Sequence, residues 1–148
     1  MKKFIIILSL LFTGAINAQN ITVVQFNAKW NSHNTNDNIE KVKRARKLVK
    51  SNILLKGPNT VILSYDKKIV VNYHSSPELA VIGSGDVLSG LIVSLMGKKK
   101  MNPFMAACAA AWLHGDIAKK HGKGLIAEDI VKGIPQALKR LKNGKFIR

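Results

Sequence analysis

The segment Gly83-Ser84-Gly85-Asp86, which leads into the apolar run 87–95, decides how the second half of this chain folds. Its three small residues let the backbone approach an anion, and the run after them predicts a helix whose first N–H groups point at the same place. Asp86 lies in the positive field of that helix N-terminus. An anion hole and a base together are what phosphoryl transfer to an alcohol requires. In the alternative interpretation, the glycines form an ordinary turn and Asp86 only caps the helix.

Three short segments with strand character precede this turn, over residues 52–57, 60–65 and 68–73. Each is rich in β-branched or aliphatic residues and is bounded by polar residues or glycine. Asp66-Lys67 separates the last two segments and predicts a hairpin with a two-residue connection.

Apolar residues at helical spacing predict one helix before these strands, over residues 38–50, with Asn36 or Asp37 as its N-cap. Three further helices are expected after the turn, at about 85–97, 103–121 and 127–141. Pro103 suits a first helical position, and Gly97 and Gly122 suit helix ends.

Composition excludes several classes of protein. The chain has 148 residues, enough for one modest domain, and a formal charge of +16. Only 4 of its 24 basic residues are arginine and aromatics make up 6%, so no specific nucleic-acid binding is expected. The single cysteine, Cys108, excludes an intramolecular disulfide and a multi-cysteine metal site, and its alanine-rich surroundings predict a buried apolar role. The spacing of His33, His74 and His121 suits no metal site. His114 is expected to pack within a helix, and a catalytic role is the alternative interpretation.

The first 37 residues have a different character from the rest. Residues 1–18 combine two lysines, a short apolar run and a small residue at Ala18, as a secretory signal peptide does. Residues 23–34 resemble the start of a thioredoxin-like domain, in which a strand leads into Trp-Cys-x-x-Cys. Asn31 and Asn34 stand where that motif has its cysteines, so dithiol chemistry is excluded there.

The segment from Pro77 to Gly90 resembles the signature of ADP- or ATP-dependent NAD(P)H-hydrate dehydratases, which belong to the ribokinase-like superfamily. Upstream, Lys56-Gly57-Pro58-Asn59-Thr60 is similar to the Lys-Gly-x-x-Thr nucleotide loop of the same family. Downstream, residues 111–115, 124–130 and 134–138 resemble its last two helices in order, so the resemblance runs from about residue 42 to 141.

The resemblance implies an α/β fold, a partial ribokinase-like layered domain with short strands followed by three C-terminal helices. The expected division is a signal-like segment over 1–18, a thioredoxin-like remnant over 19–37 and the C-terminal part of a dehydratase-like domain over 38–148. Because the family fold is larger, we expect an open sheet edge and self-association. The enzyme-like part implies the cytoplasm, whereas residues 1–18 imply secretion.

The resemblance also implies a repair reaction. A nucleotide, ADP or ATP with Mg²⁺, phosphorylates the hydroxyl of hydrated NADH or NADPH, and elimination of phosphate restores the cofactor. Carried over by position, the backbone of Gly83, Ser84 and Gly85 would hold the phosphoryl group, and Asp86 would contact the hydrate and act as base. The residues that would line the adenine-nucleotide site are Lys56, Gly57, Pro58, Asn59, Thr60 and Gly85.

Two other functions stay open on the sequence. One is an inactive remnant that binds adenine nucleotide, and the other is a secreted thioredoxin-like interaction protein. Nucleotide binding would separate the first from the second.

Overall fold

The structure, a computed structural model, describes residues 21–24, 35–49 and 51–142. The predicted signal-like segment and the thioredoxin-like stretch from residue 25 to 34 lie outside the described residues. In chain order the elements are β1 (Ile21–Val24), α1 (Thr35–Val49), β2 (Asn52–Leu55), β3 (Thr60–Leu63), β4 (Ile69–Asn72), a 3-10 turn (Pro77–Leu79), α2 (Ser84–Lys99), α3 (Pro103–His121) and α4 (Ala127–Lys142). The predicted order of short strands followed by three helices is therefore confirmed.

The described strands form one mixed sheet in the order β1-β2-β3-β4. β1 pairs with β2 in parallel across the α1 connection, whereas β2 with β3 and β3 with β4 are antiparallel. Among the described strands, β1 and β4 are outermost, so self-association through an edge strand stays a prediction.

β2 and β3 bury side chains on both faces of the sheet, because successive residues of a strand point to opposite sides. Leu54 and Ile62 belong to the core under α2, α3 and α4. The other face packs on α1 around Val42, through Ile53, Leu55, Val61 and Leu63. The sheet is thus covered by helices on both sides, which explains why its central strands are continuous apolar runs.

Two boundary predictions in the first half were wrong. α1 begins at Thr35, which places Asn36 and Asp37 in its first turn rather than at its N-cap. The hairpin closes between Ser64 and Lys68, so its connection has three residues instead of two. Its last residue, Lys67, takes a left-handed conformation (φ 73°), as a three-residue hairpin loop requires.

The helix boundaries predicted for the second half of the chain agree better with the structure. Pro103 is the first helical residue of α3 and Gly122 follows its end, both as predicted, and the Asn102 side chain caps the helix. α2 was wrongly predicted to stop at Gly97. It continues to Lys99 and ends at Lys100 in the left-handed region (φ 50°).

α3 approaches the loop after β4 very closely. A Cβ atom on Gly115 would lie 1.7 Å from the His74 carbonyl oxygen, so only glycine fits at this contact. One turn earlier, Trp112 stacks on the His74 ring with centroids 4.9 Å apart.

No helix among the described residues is long and apolar enough to cross a membrane.

Candidate functional site

The first turn of α2 is built by a left-handed glycine. Gly83 precedes the helix with φ 82°, a conformation that side chains other than glycine rarely adopt. Its carbonyl accepts from the N–H groups of Asp86 and Val87, both at 3.1 Å. No described residue accepts a hydrogen bond from the N–H of Gly85, and Asp86 is exposed beside it. The turn therefore combines an amide that has no acceptor among the described residues, called the open amide below, with a carboxylate at the helix mouth.

The loop from Lys56 to Thr60 connects β2 to β3 and is closed by its own last residue. The Thr60 hydroxyl donates to the Gly57 carbonyl at 3.3 Å and accepts from the Gly57 N–H at 3.4 Å. The amide side chain of Asn59 donates to the Thr35 hydroxyl at 2.9 Å, which attaches the loop to the start of α1. Pro58 lies half-buried between them. The nucleotide loop predicted from the sequence is thus a compact turn.

Lys56 connects this loop to the helix turn. Its ammonium donates to the Leu79 carbonyl at 3.1 Å, and the Ser84 hydroxyl donates to the same oxygen at 2.7 Å. Burial lowers the pKa of Lys56 because desolvation disfavours its charged form. The structure thereby brings the loop after β2 and the turn before α2 to one carbonyl group. Lys56 and Leu79 are 23 positions apart in the sequence.

Behind the turn, His114 reaches the same backbone from α3. Its Nε2 lies 2.9 Å from the Ser84 carbonyl oxygen, and the side chain is buried. Burial, and then the charge of Lys56, lower the pKa of His114 to about 4, against the effect of the Ser84 hydrogen bond. The ring is therefore neutral at pH 7. The prediction of a helix-packing histidine missed this contact, since no local pattern signals a bond between residues 30 positions apart.

The other candidates lie away from this turn or lack reactivity. Cys108 is half-buried rather than fully buried, and burial raises the pKa of its thiol to about 11, so it is a poor nucleophile at neutral pH. Lys98, Lys99 and Lys100 are exposed. Asp116 is buried at the far side of α3, where Arg140 and Lys120 lie within ion-pair distance.

The described residues include no group of three His, Cys, Asp or Glu side chains that could hold a metal ion. Magnesium in phosphate chemistry is usually bound through one or two carboxylates together with the nucleotide phosphates and water. A single exposed carboxylate, Asp86, beside an open amide fits that mode of binding and does not form an all-protein metal site.

Comparison with known proteins shows the family to which this chain belongs. A family model described as NAD(P)H-hydrate dehydratase matches residues 22–136. This match includes residues 22–37, for which a separate remnant is expected from the sequence, and the division at residue 37 stays a prediction. The ADP-dependent (S)-NAD(P)H-hydrate dehydratase of Neisseria meningitidis serogroup B is 38% identical over 109 residues, which are 72% of this chain and 36% of that protein. A bifunctional NAD(P)H-hydrate repair enzyme of Moorella thermoacetica is 37% identical over 95 residues, 61% of this chain and 18% of that protein.

Among solved structures, the ADP/ATP-dependent NAD(P)H-hydrate dehydratase of Bacillus subtilis, co-crystallised with ATP and Mg²⁺ and soaked with CoA, superposes with a TM-score of 0.65 and 28% identity. The superposition covers 71% of this chain and 40% of that one. It confirms the expected ribokinase-like α/β fold and its partial extent. The chain spans well under half the length of the relatives it matches.

Proposed function

Because the chain belongs to the NAD(P)H-hydrate dehydratase family, we propose that it restores NADH or NADPH from their hydrated forms at the expense of ADP or ATP. The observation that carries this proposal is the junction at the Leu79 carbonyl, where Lys56 and Ser84 meet. That junction holds the Lys-Gly-x-x-Thr loop beside the Gly-Ser-Gly-Asp turn. In the proposed function the loop would bind the nucleotide and the turn would form the anion hole, and phosphoryl transfer requires the two side by side.

The proposed roles follow from what each segment offers. The loop from Gly57 to Thr60 would contact the adenine nucleotide, and the open amide of Gly85 would bind its phosphate. Asp86, exposed at the helix mouth, would bind the hydrate and take the proton of the hydroxyl that attacks the terminal phosphoryl group. The new phosphate ester then loses phosphate as its C–O bond breaks, and loss of a ring proton restores the double bond.

Mg²⁺ bound with the nucleotide would neutralise charge on the phosphates through phosphate oxygens and water, and Asp86 would face it through one of these waters, which leaves the carboxylate able to act as the base. Besides Asp86, the chain would contribute by positioning the loop and the turn that contact the nucleotide. It holds the loop closed through Thr60, and it keeps the first turn of α2 in place through Ser84.

The test measures binding and turnover on the same preparation. The chain is incubated with NADH hydrate, Mg²⁺ and either ADP or ATP, and recovered NADH is followed by its absorbance. Thermal unfolding is recorded with and without nucleotide, since a ligand that binds only the folded state raises the Tm. Recovery of NADH with either nucleotide supports the proposal. A Tm shift without recovery supports the second candidate, a nucleotide-binding protein without catalysis. The absence of both overturns the two candidates.

Gly85 offers a variant for the binding step. Gly85→Leu places a bulky side chain in a buried position at the open amide, so the nucleotide-dependent Tm shift should disappear. Gly90→Leu is the matched control, because Gly90 lies in the same helix and a Cβ there meets nothing within 4 Å. Equal Tm shifts in both variants would show that nucleotide binds elsewhere.

A further inference from the structure

Ser84, the residue between the two glycines of the turn, is held from three directions. Its N–H donates to the Val81 carbonyl at 3.3 Å and its hydroxyl donates to the Leu79 carbonyl at 2.7 Å. Its own carbonyl oxygen lies 2.9 Å from Nε2 of His114. Ser84 is 1% exposed, so these three contacts fix a buried residue at the start of α2.

The contact with His114 defines the state of the ring. A backbone carbonyl only accepts hydrogen bonds, so Nε2 must carry the hydrogen. The side chain is 2% exposed, and the ammonium of Lys56 further disfavours a second proton on the ring. Lys56 is the charged group whose Coulomb interaction acts on this ring. His114 is therefore a neutral donor with a defined tautomer.

The direction of the Ser84 carbonyl has a direct consequence for the next residue. The peptide bond is planar and trans, so the carbonyl of Ser84 and the N–H of Gly85 belong to one rigid unit and point in opposite directions. A bond that holds the carbonyl toward α3 therefore holds the Gly85 N–H away from α3. That amide is the one for which no described residue supplies an acceptor.

We propose that His114 is a positioning residue, which holds the Ser84–Gly85 peptide plane so that the Gly85 N–H points at the nucleotide phosphate. This inference rests on the proposed function, since it assigns a role within the same anion hole. It adds a residue from α3, 30 positions away from Ser84, to the machinery of the turn.

Two substitutions separate positioning from packing. In His114→Gln the side-chain amide can place a donor near the position of Nε2, whereas His114→Leu keeps bulk and removes the donor. Leu113→Val, at the adjacent buried residue of α3, is the matched control for a change in core packing. All three are made in the full chain and compared at equal ionic strength.

The first measurement needs no nucleotide. The ¹⁵N shifts of the His114 ring report which nitrogen carries hydrogen, and the Gly85 amide cross-peak reports the peptide plane. We expect hydrogen on Nε2 in the unmodified chain, a displaced Gly85 peak in His114→Leu, and a peak near its original position in His114→Gln and Leu113→Val. Hydrogen on Nδ1, or a Gly85 peak that moves as much in Leu113→Val as in His114→Leu, overturns the inference. If His114→Leu does not fold, the ring tautomer and the Gln variant still decide.

The second measurement is the dissociation constant for ADP with Mg²⁺. We expect about a tenfold weaker complex in His114→Leu, the effect of one lost hydrogen bond at the phosphate, and less than about a threefold change in the other two variants. Equal affinities in all four proteins overturn the inference. If the unmodified chain does not bind ADP, the proposed function fails, while the ring tautomer and the Gly85 peak still test whether His114 positions the turn.

Discussion

Lys56 and Ser84 donate to the same oxygen, the carbonyl of Leu79, at 3.1 and 2.7 Å. The first residue follows β2 and the second begins α2. Through this carbonyl, a loop on the sheet and a turn on the helical layer share one buried acceptor. The loop after β2 and the turn before α2 are therefore held next to each other, although they are separate in sequence.

The shared acceptor predicts coupling between the two donors. Lys56→Met and Ser84→Ala each leave the Leu79 carbonyl with one donor, so each change should cost about 1 kcal/mol of unfolding free energy or less. The double variant leaves a buried acceptor unpaired, which adds its desolvation penalty. We expect the double loss to exceed the sum of the single losses by about 1 kcal/mol in urea unfolding. Losses that add within about 0.4 kcal/mol would mean that the two bonds are independent.

Asp86→Asn is expected to abolish most NADH recovery. The amide keeps the shape of the side chain but cannot act as a base, so the rate should fall by about 10²- to 10⁴-fold. Affinity for ADP should stay constant or rise slightly, because a negative charge near the phosphates is removed. The matched control is Glu128→Gln, an exposed acidic residue in the first turn of α4. Equal recovery by the unmodified chain and Asp86→Asn would refute the catalytic role of Asp86.

Stability should decrease as the pH falls from 7 to 4. Burial, then the charge of Lys56, lower the pKa of His114 from 6.5 to about 4. Below pH 6.5 the unfolded chain therefore binds a proton that the folded chain does not, so unfolding becomes more favourable. The expected loss is about 3 kcal/mol of unfolding free energy near pH 4, measured by urea unfolding across this range.

His114→Gln should remove most of this dependence on pH. Burial and then Lys119 also lower the pKa of His74, in the same direction, so a smaller slope should remain. His121→Gln serves as control because that side chain is exposed. If the unmodified chain and His114→Gln lose the same free energy between pH 7 and 4, His114 is not the titrating group.

Gly115→Ala should destabilise the fold by about 3 kcal/mol. The added methyl group would lie 1.7 Å from the His74 carbonyl oxygen and 2.7 Å from its carbon, so backbone must move apart. Gly90→Ala is the opposite case, since a Cβ there meets nothing within 4 Å in the middle of α2. It should be neutral or stabilise by up to about 1 kcal/mol. The midpoint of urea unfolding is measured for Gly115→Ala and for Gly90→Ala. Similar midpoints would contradict the close approach of α3 to the loop after β4.

Much of the fold could be predicted because its signals are local. Asn102, Pro103 and Gly122 mark the ends of α3 through caps that act within a few residues. The boundaries that were predicted wrongly, at the hairpin and at the end of α2, have weaker sequence signals than these caps. Lys67 adopts a left-handed turn position without glycine, and α2 continues past Gly97 because a helical glycine costs only about 1 kcal/mol.

The sequence by itself determined the layers and the two motifs of this protein. The apolar runs of β2 and β3 require cover on both faces, and the segments around Lys56 and Asp86 have the residue types that phosphate binding needs. Only the tertiary structure decided that Leu79 offers its carbonyl to both Lys56 and Ser84, and that His114 holds the carbonyl of Ser84. In these contacts the acceptor is a backbone carbonyl, which every residue type has, and Lys56 and His114 lie 23 and 30 positions away from their partners. The packing of α3 and of the loop before α2 determines which carbonyl each side chain meets. No local pattern of residues predicts these pairs.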